Sequence, residues 1–114
     1  MTRESIELLQ GSLDLLVLRS LTWGPRHGYA ILNWLRDSTN GTLRIADAAL
    51  YPALHRMEAR GLISAEWGLS DNNRRAKFYA LTDAGRRALR AEARQWNQYA
   101  ALVSRILSAP QRAG

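Results

Sequence analysis

The chain has 114 residues, room for one domain of ordinary size. Its 46% apolar content permits a core, and its 23% charged content excludes a chain disordered by composition. It has no cysteine, which excludes disulfides and thiolate metal sites and makes a reducing cytoplasm the expected location. Sixteen basic residues stand against 10 acidic ones for a net charge of +6, and all the cations except Lys77 are arginine. Arginine is suited to phosphate forks and aromatic stacking. The charge is uneven: residues 1–42 sum to zero, 43–81 to +2 and 82–114 to +4. A basic protein of this size meets a polyanion, or merely carries spare surface arginines, and charge alone does not choose.

The longest apolar stretch, Leu13 to Leu18, contains Asp14. It is far short of the roughly 20 residues of a membrane span, so no membrane partner is expected. The first residues carry both signs of charge and do not read as a signal peptide.

Taken in chain order, Ser12 to Leu21 predicts a helix that is apolar on nearly every side, closed by Gly24-Pro25. Such a helix must be covered on more than one face, which in so small a chain hints at a second subunit. A second helix is predicted from His27 to Thr39, with Ile31, Trp34 and Leu35 on one face and Ser38-Thr39-Asn40-Gly41 as its stop. Thr42 to Ile45 reads as a short extended piece.

A third helix is predicted from Asp47, as N-cap, to Arg60, with Gly61 as its stop. Leu50, Leu54 and Met57 share one face, and Ala49, Pro52, Arg56 and Ala59 lie opposite, flanked by Ala48 and His55. Pro52 lacks a backbone donor, which leaves open a start nearer Tyr51. Alternation then predicts a hairpin: Leu62 to Trp67, a long basic loop from Gly68 to Arg75, and a return strand from Ala76 to Leu81. Ile63, Ala65 and Trp67 fall on one side of it. Thr82 is a sound N-cap for a last helix running to about Ser108. Its Leu89, Ala93, Trp96, Ala100, Val103 and Leu107 recur at 4-3-4-3-4 spacing, a seam that packs on a partner helix.

Three helices followed by a hairpin with a basic loop is the order of a winged helix-turn-helix, which predicts a mainly α fold with a small β-hairpin. Residues 1–81 would form the DNA-binding domain, 82–109 a dimerisation helix and 110–114 a tail. The third helix would enter the major groove and the hairpin would reach the adjacent backbone as the wing. Ala48, Ala49 and Ala59 are small enough for close approach. Arg56 would offer a fork to guanine, and Tyr51 and His55 would donate to phosphate oxygens. Arg74, Arg75 and Lys77 place three cations within four residues at the wing and read as phosphate contacts, although a solvated hairpin tip has the same composition. Asn72 and Asn73 read as turn formers before base readers. His27 reads first as a cap and second as a phosphate contact, with Arg26 as an alternative donor beside it.

The sequence also resembles the PadR-type transcriptional regulators, in the short form with a single C-terminal helix. The resemblance rests on GSLDLLVLRSL from Gly11, HGYAI from His27, LYPALHRMEARGLI from Leu50, AEWGLSDNNRRAKFYALTDAGRR from Ala65, and Trp96. It implies a homodimer built from the first and last helices, bound to a palindromic operator as a repressor and released by a small effector. Taken together, the candidate DNA-binding set is Arg26, His27, Tyr29, Ala48, Ala49, Tyr51, Pro52, His55, Arg56, Asn72, Asn73, Arg74, Arg75 and Lys77. Dimerisation would fall to Leu13, Leu16, Leu89, Trp96, Val103 and Leu107. An effector slot would be lined by Leu15, Ala93, Trp96 and Ala100, where relatives sense planar cationic drugs between paired tryptophans; plain seam packing by Trp96 is the alternative. Trp34 and Trp67 read as packing residues. Two departures matter: Ala49 stands where many relatives carry Ser or Thr, so that hydroxyl contact is lost, and Phe78 stands where Tyr is frequent.

An enzyme is not expected. There is no thiol nucleophile, no HExxH and no phosphate loop, and the two histidines lack clustered carboxylates, so no metal or cofactor is expected either. The rival readings are a winged-helix protein-interaction module and an RNA-binding winged helix.

Overall fold

A computed structural model describes residues 12–111, in the order α1 (Ser12–Ser20), β1 (Arg26–His27), α2 (Gly28–Ser38), α3 (Asp47–Ala59), β2 (Ile63–Leu69), β3 (Arg75–Leu81) and α4 (Asp83–Leu107). Four helices and a small antiparallel sheet make the mainly helical winged-helix architecture that the element order predicts.

The core gathers one stripe from each element. Val17, Leu18 and Leu21 meet Ile31 and Leu35 of α2, Leu50, Ala53, Leu54 and Met57 of α3, then Leu62, Ile63 and Tyr79. Full burial of a side chain such as Leu18, Leu50 or Leu54 contributes about 1.5–3 kcal/mol. The all-round apolarity of α1 is largely satisfied within the chain, because α1 touches α2, α3 and α4 at once. Leu13, Leu16 and Leu89, read from the sequence as dimer residues, are half-buried and pack against this same core.

α3 begins at Asp47 rather than Tyr51, and its N-cap is Ala46, not Asp47. The Ala46 carbonyl accepts from Ala49 N–H at 2.9 Å and Leu50 N–H at 3.0 Å, with no side-chain cap. Asp47 instead sits in the first turn, where a carboxylate complements the helix dipole. Pro52 is tolerated inside the helix because the Ala48 carbonyl it leaves unpaired belongs to an exposed residue that water can reach.

The sheet has three strands, not two, in the order β1-β3-β2. The added strand pairs Arg26 with Tyr79 and His27 with Phe78. Two residues are too few to show alternation, which is why periodicity misses it. The hairpin loop is also tighter than its composition suggests, since the ladder runs out to Leu69 opposite Arg75. Ser70 N–H donates to the Arg74 carbonyl and Asn73 N–H to the Ser70 carbonyl, each at 2.8 Å. Asn73 supplies the left-handed φ of 62° that a three-residue hairpin loop requires. Thr42 to Ile45 joins no sheet.

The start of α4 is pinned to the end of α3. Thr82 Oγ1 accepts from Gly85 N–H at 3.0 Å and donates to the Gly61 carbonyl at 2.6 Å, while Thr82 N–H donates to the Leu62 carbonyl at 3.2 Å. Any Cβ on Gly85 would collide with the Leu62 carbonyl oxygen. The first half of α4 therefore lies on the core through Ala84, Ala88 and Leu89, and its second half projects. The longest dimension of the molecule is 65 Å.

Candidate nucleic-acid interface

Three elements meet at one recess of about 220 Å³. His27, Gly28 and Tyr29 come from the start of α2, Tyr51 from α3, and Ala76, Lys77 and Tyr79 from the wing strand β3. Gly28 makes the junction close: a Cβ there would strike the ring and hydroxyl of Tyr51, so the phenol lies on the first turn of α2 only because residue 28 is bare. Burial, then the charge of Asp47, then Tyr79 hold the Tyr51 hydroxyl above the usual phenol range. It stays protonated and able to donate to an anion. Tyr29 stands exposed at the rim.

His27 is the N-cap of α2, its Nδ1 accepting from Ala30 N–H at 3.1 Å, and its ring meets Phe78 edge-on at 5.3 Å. The cap reading of His27 is thus the one observed, and in the neutral ring Nε2–H remains a donor.

The outer face of α3 carries Ala48, Ala49, Pro52 and His55, all exposed. Arg56 does not stand free among them. Its Nη2 lies 2.7 Å from Asp14 Oδ1 on α1, and the Asp14 side chain is only 18% exposed. To offer its fork to guanine, Arg56 would have to exchange the Asp14 carboxylate for a base edge. Helical projection fixes where a Cα sits, whereas a long side chain can turn sideways to a neighbouring helix. Asp14, the charge interrupting an apolar run, was the available signal. Arg26 is likewise engaged within the chain. Its Nε donates to the Ser20 carbonyl at 2.8 Å and its guanidinium lies 5.8 Å from the Trp34 ring centre, so it is occupied in joining α1, β1 and α2.

The wing cations differ from one another. Arg74 is exposed and has no acidic partner among the described residues. Arg75 lies over the Trp67 ring at 4.5 Å, and Trp67 is 61% exposed, a surface stack rather than core packing. Trp34, by contrast, packs against the core. Lys77 sits 3.6 Å from Glu58 of α3, a half-exposed surface pair worth little that an anion can replace. Asn73 is a turn residue by its backbone, and Asn72 is exposed at the tip.

Of the expected slot, Leu15 on α1 and Ala93 and Ala100 on α4 are half-buried, and Trp96 on α4 is exposed with Tyr99 6.2 Å away. Val103 is half-buried and Leu107 exposed. Tyr99, Leu102 and Ile106, which the strict seam omits, are also exposed and widen the apolar face.

Among the described residues, no helix is long and apolar enough to cross a membrane. The sequence profile described as the transcriptional regulator PadR-like family matches residues 17–91. An uncharacterised protein of Lysinibacillus sphaericus is 30% identical over 98 residues, covering 85% of this chain and 89% of its own. A transcriptional regulator of Mycobacterium tuberculosis is 36% identical over 75 residues, 66% of this chain and 56% of that protein. The crystal structure of a PadR family transcriptional regulator from Eggerthella lenta superposes with a TM-score of 0.76 at 34% identity, covering 89% of this chain and 86% of that one.

Proposed function

The chain belongs to the PadR-like family of transcriptional regulators, a family of regulators and not of enzymes, and from that premise we propose a homodimeric repressor that binds a palindromic operator. The observation that carries this reading is the shared recess, where α2, α3 and the wing bring Tyr51, Lys77, Tyr29 and the His27 cap together around a space fit for a phosphate. With one phosphate held there, the outer face of α3, built from Ala48, Ala49, Pro52 and His55, lies against the major groove. Small side chains allow the helix axis to approach closely, so shape and the thymine methyl contribute to recognition. Arg74 and Arg75 meet the flanking backbone.

Two copies join through the apolar face of α4, where Trp96, Tyr99, Val103, Ile106 and Leu107 meet their counterparts and α1 adds Leu13 and Leu16. The two half-sites then lie one helical turn apart, about 34 Å, or a multiple of it. Trp96 of each copy, with Ala93, Ala100 and Leu15 around it, offers a slot for a planar cation. Such a ligand releases the operator only if it binds a splayed dimer more tightly than the DNA-competent one.

The test is an anisotropy titration with a fluorescent duplex from the chain's own upstream region, repeated over a salt series. Six wing cations per dimer predict a log–log salt slope of about −5 or steeper. A flat slope, or equal affinity for duplex RNA, contradicts the reading. Quenching of Trp96 by planar cationic dyes tests the slot, and no response across a broad dye panel contradicts it.

A further inference from the structure

The surplus charge of residues 82–114 is not used by α3 or the wing. Arg86, Arg87, Arg90, Arg94 and Arg105 are all exposed on α4, and none has an acidic partner among the described residues. At 100° per residue they fall within an arc of about 120°. Asp83, in the first turn, is the only acidic residue on that arc; Glu92 lies on the opposite side, toward Asp14 of α1. Arg90, Arg94, Asn97 and Gln98, with Ala93 and Ala101, line a shallow trough along this face. Every polar side chain in its lining can donate to phosphate oxygens.

The placement excludes two uses. The arginine arc lies opposite the apolar face of α4, whose first half packs on the core through Ala84, Ala88 and Leu89. A dimer closed over the apolar face therefore leaves the arginines outward. A basic helix lying in a membrane surface inserts its apolar face; here that face is already covered over the first half, so the cations meet their partner alone. From Arg86 to Arg105 the row extends about 28 Å. It is built for a long, stiff polyanion.

We infer that the arginine face of α4 is a second contact surface for duplex DNA, one that takes a segment other than the duplex under α3 and the wing. This rests on the DNA-binding reading above, which supplies the polyanion. The consequence is bridging: a dimer seated on its operator holds a second duplex segment through contacts to phosphates that carry no sequence information.

The experiment mixes the full chain with two unrelated duplexes of about 30 base pairs, one carrying a donor dye and one an acceptor, and follows anisotropy and energy transfer together. The wild type is expected to give energy transfer that falls steeply with salt. Arg90→Gln with Arg94→Gln should weaken second-duplex capture by tenfold or more and flatten its log–log salt slope by about two for each protomer in contact with that duplex. Single-duplex anisotropy and helix content should stay unchanged, and Arg90→Lys with Arg94→Lys should retain most of the capture. Single-duplex binding without energy transfer, or transfer that the glutamine variant leaves intact, overturns the second surface while leaving the DNA-binding reading in place. No duplex binding at all overturns both. Displacement of the second duplex by phosphatidylserine vesicles, an RNA hairpin or polyglutamate at lower charge concentration than by duplex DNA overturns the assignment of DNA as the occupant.

Discussion

The recognition helix and the wing divide the expected work unequally. α3 has an outer face of small and apolar residues, and its one prominent arginine is held by Asp14 of α1. The wing has Arg74 without an acidic partner among the described residues, Arg75 laid on Trp67, and Lys77 in a weak pair. The cations of this pair of elements lie on the hairpin, and the outer face of α3 is nearly free of them. On the proposed reading, sequence preference would come from how closely and at what angle α3 is held, more than from a long side chain reaching for guanine.

The largest effect should come from breaking the support of α3. In Gly28→Ala the new Cβ has no room beside Tyr51, whose ring must leave the start of α2. The exposed ring can swing aside, so we expect a stability loss of only about 1 kcal/mol in denaturant unfolding but loss of operator binding, because the recess is no longer closed by the phenol. Unchanged operator binding would show that the Tyr51–Gly28 contact does not bear on the DNA site. Next, Arg74→Ala should weaken binding to all duplexes alike and flatten the log–log salt slope by about two per dimer, read by anisotropy titration. An effect confined to one sequence would move Arg74 from phosphate to base contact.

Arg56→Ala should act through Asp14. Leaving a mostly buried carboxylate without its partner should cost about 1–2 kcal/mol of stability. Sequence discrimination should fall as α3 loosens on α1, and Arg56→Lys should restore part of both. Relaxed discrimination with stability intact would return Arg56 to the groove. The smallest effect concerns Glu92, whose carboxyl is raised above its usual range first by burial and then by the charge of Asp14, with Arg60 opposing. A raised carboxyl binds its proton more tightly in the folded state. Stability should therefore decline as pH rises from the ordinary carboxylate value through the raised one, then level off. Glu92→Gln should remove that decline in thermal melts taken across pH, and a variant with the same pH dependence would contradict it.

Much of this architecture was legible in the sequence because it rests on periodicity and punctuation. Leu50, Leu54 and Met57 at helical spacing and Thr82 before a seam place α3 and α4 to within a residue or two. What escaped was short or sideways. Arg26–His27 is a strand only because Tyr79 and Phe78 lie beside it. Arg56 and Arg26 look like free cations until Asp14 and the Ser20 carbonyl are seen within reach. Trp67 alternates correctly with Ile63 and Ala65, yet the core ends before it, so the alternation continues into solvent. The site was legible as a set of elements and not as a set of contacts. Backbone pattern reports which face a residue leaves from, and long side chains choose their partners afterwards.

If two copies present two α3 helices to one duplex, as proposed, then bound sites selected from a pool of random duplexes should share one pattern. The enriched sequences should form an inverted repeat with half-sites centred one turn, about 34 Å, or an integral number of turns apart. Enrichment of a single unpaired half-site, or of nothing, would contradict it.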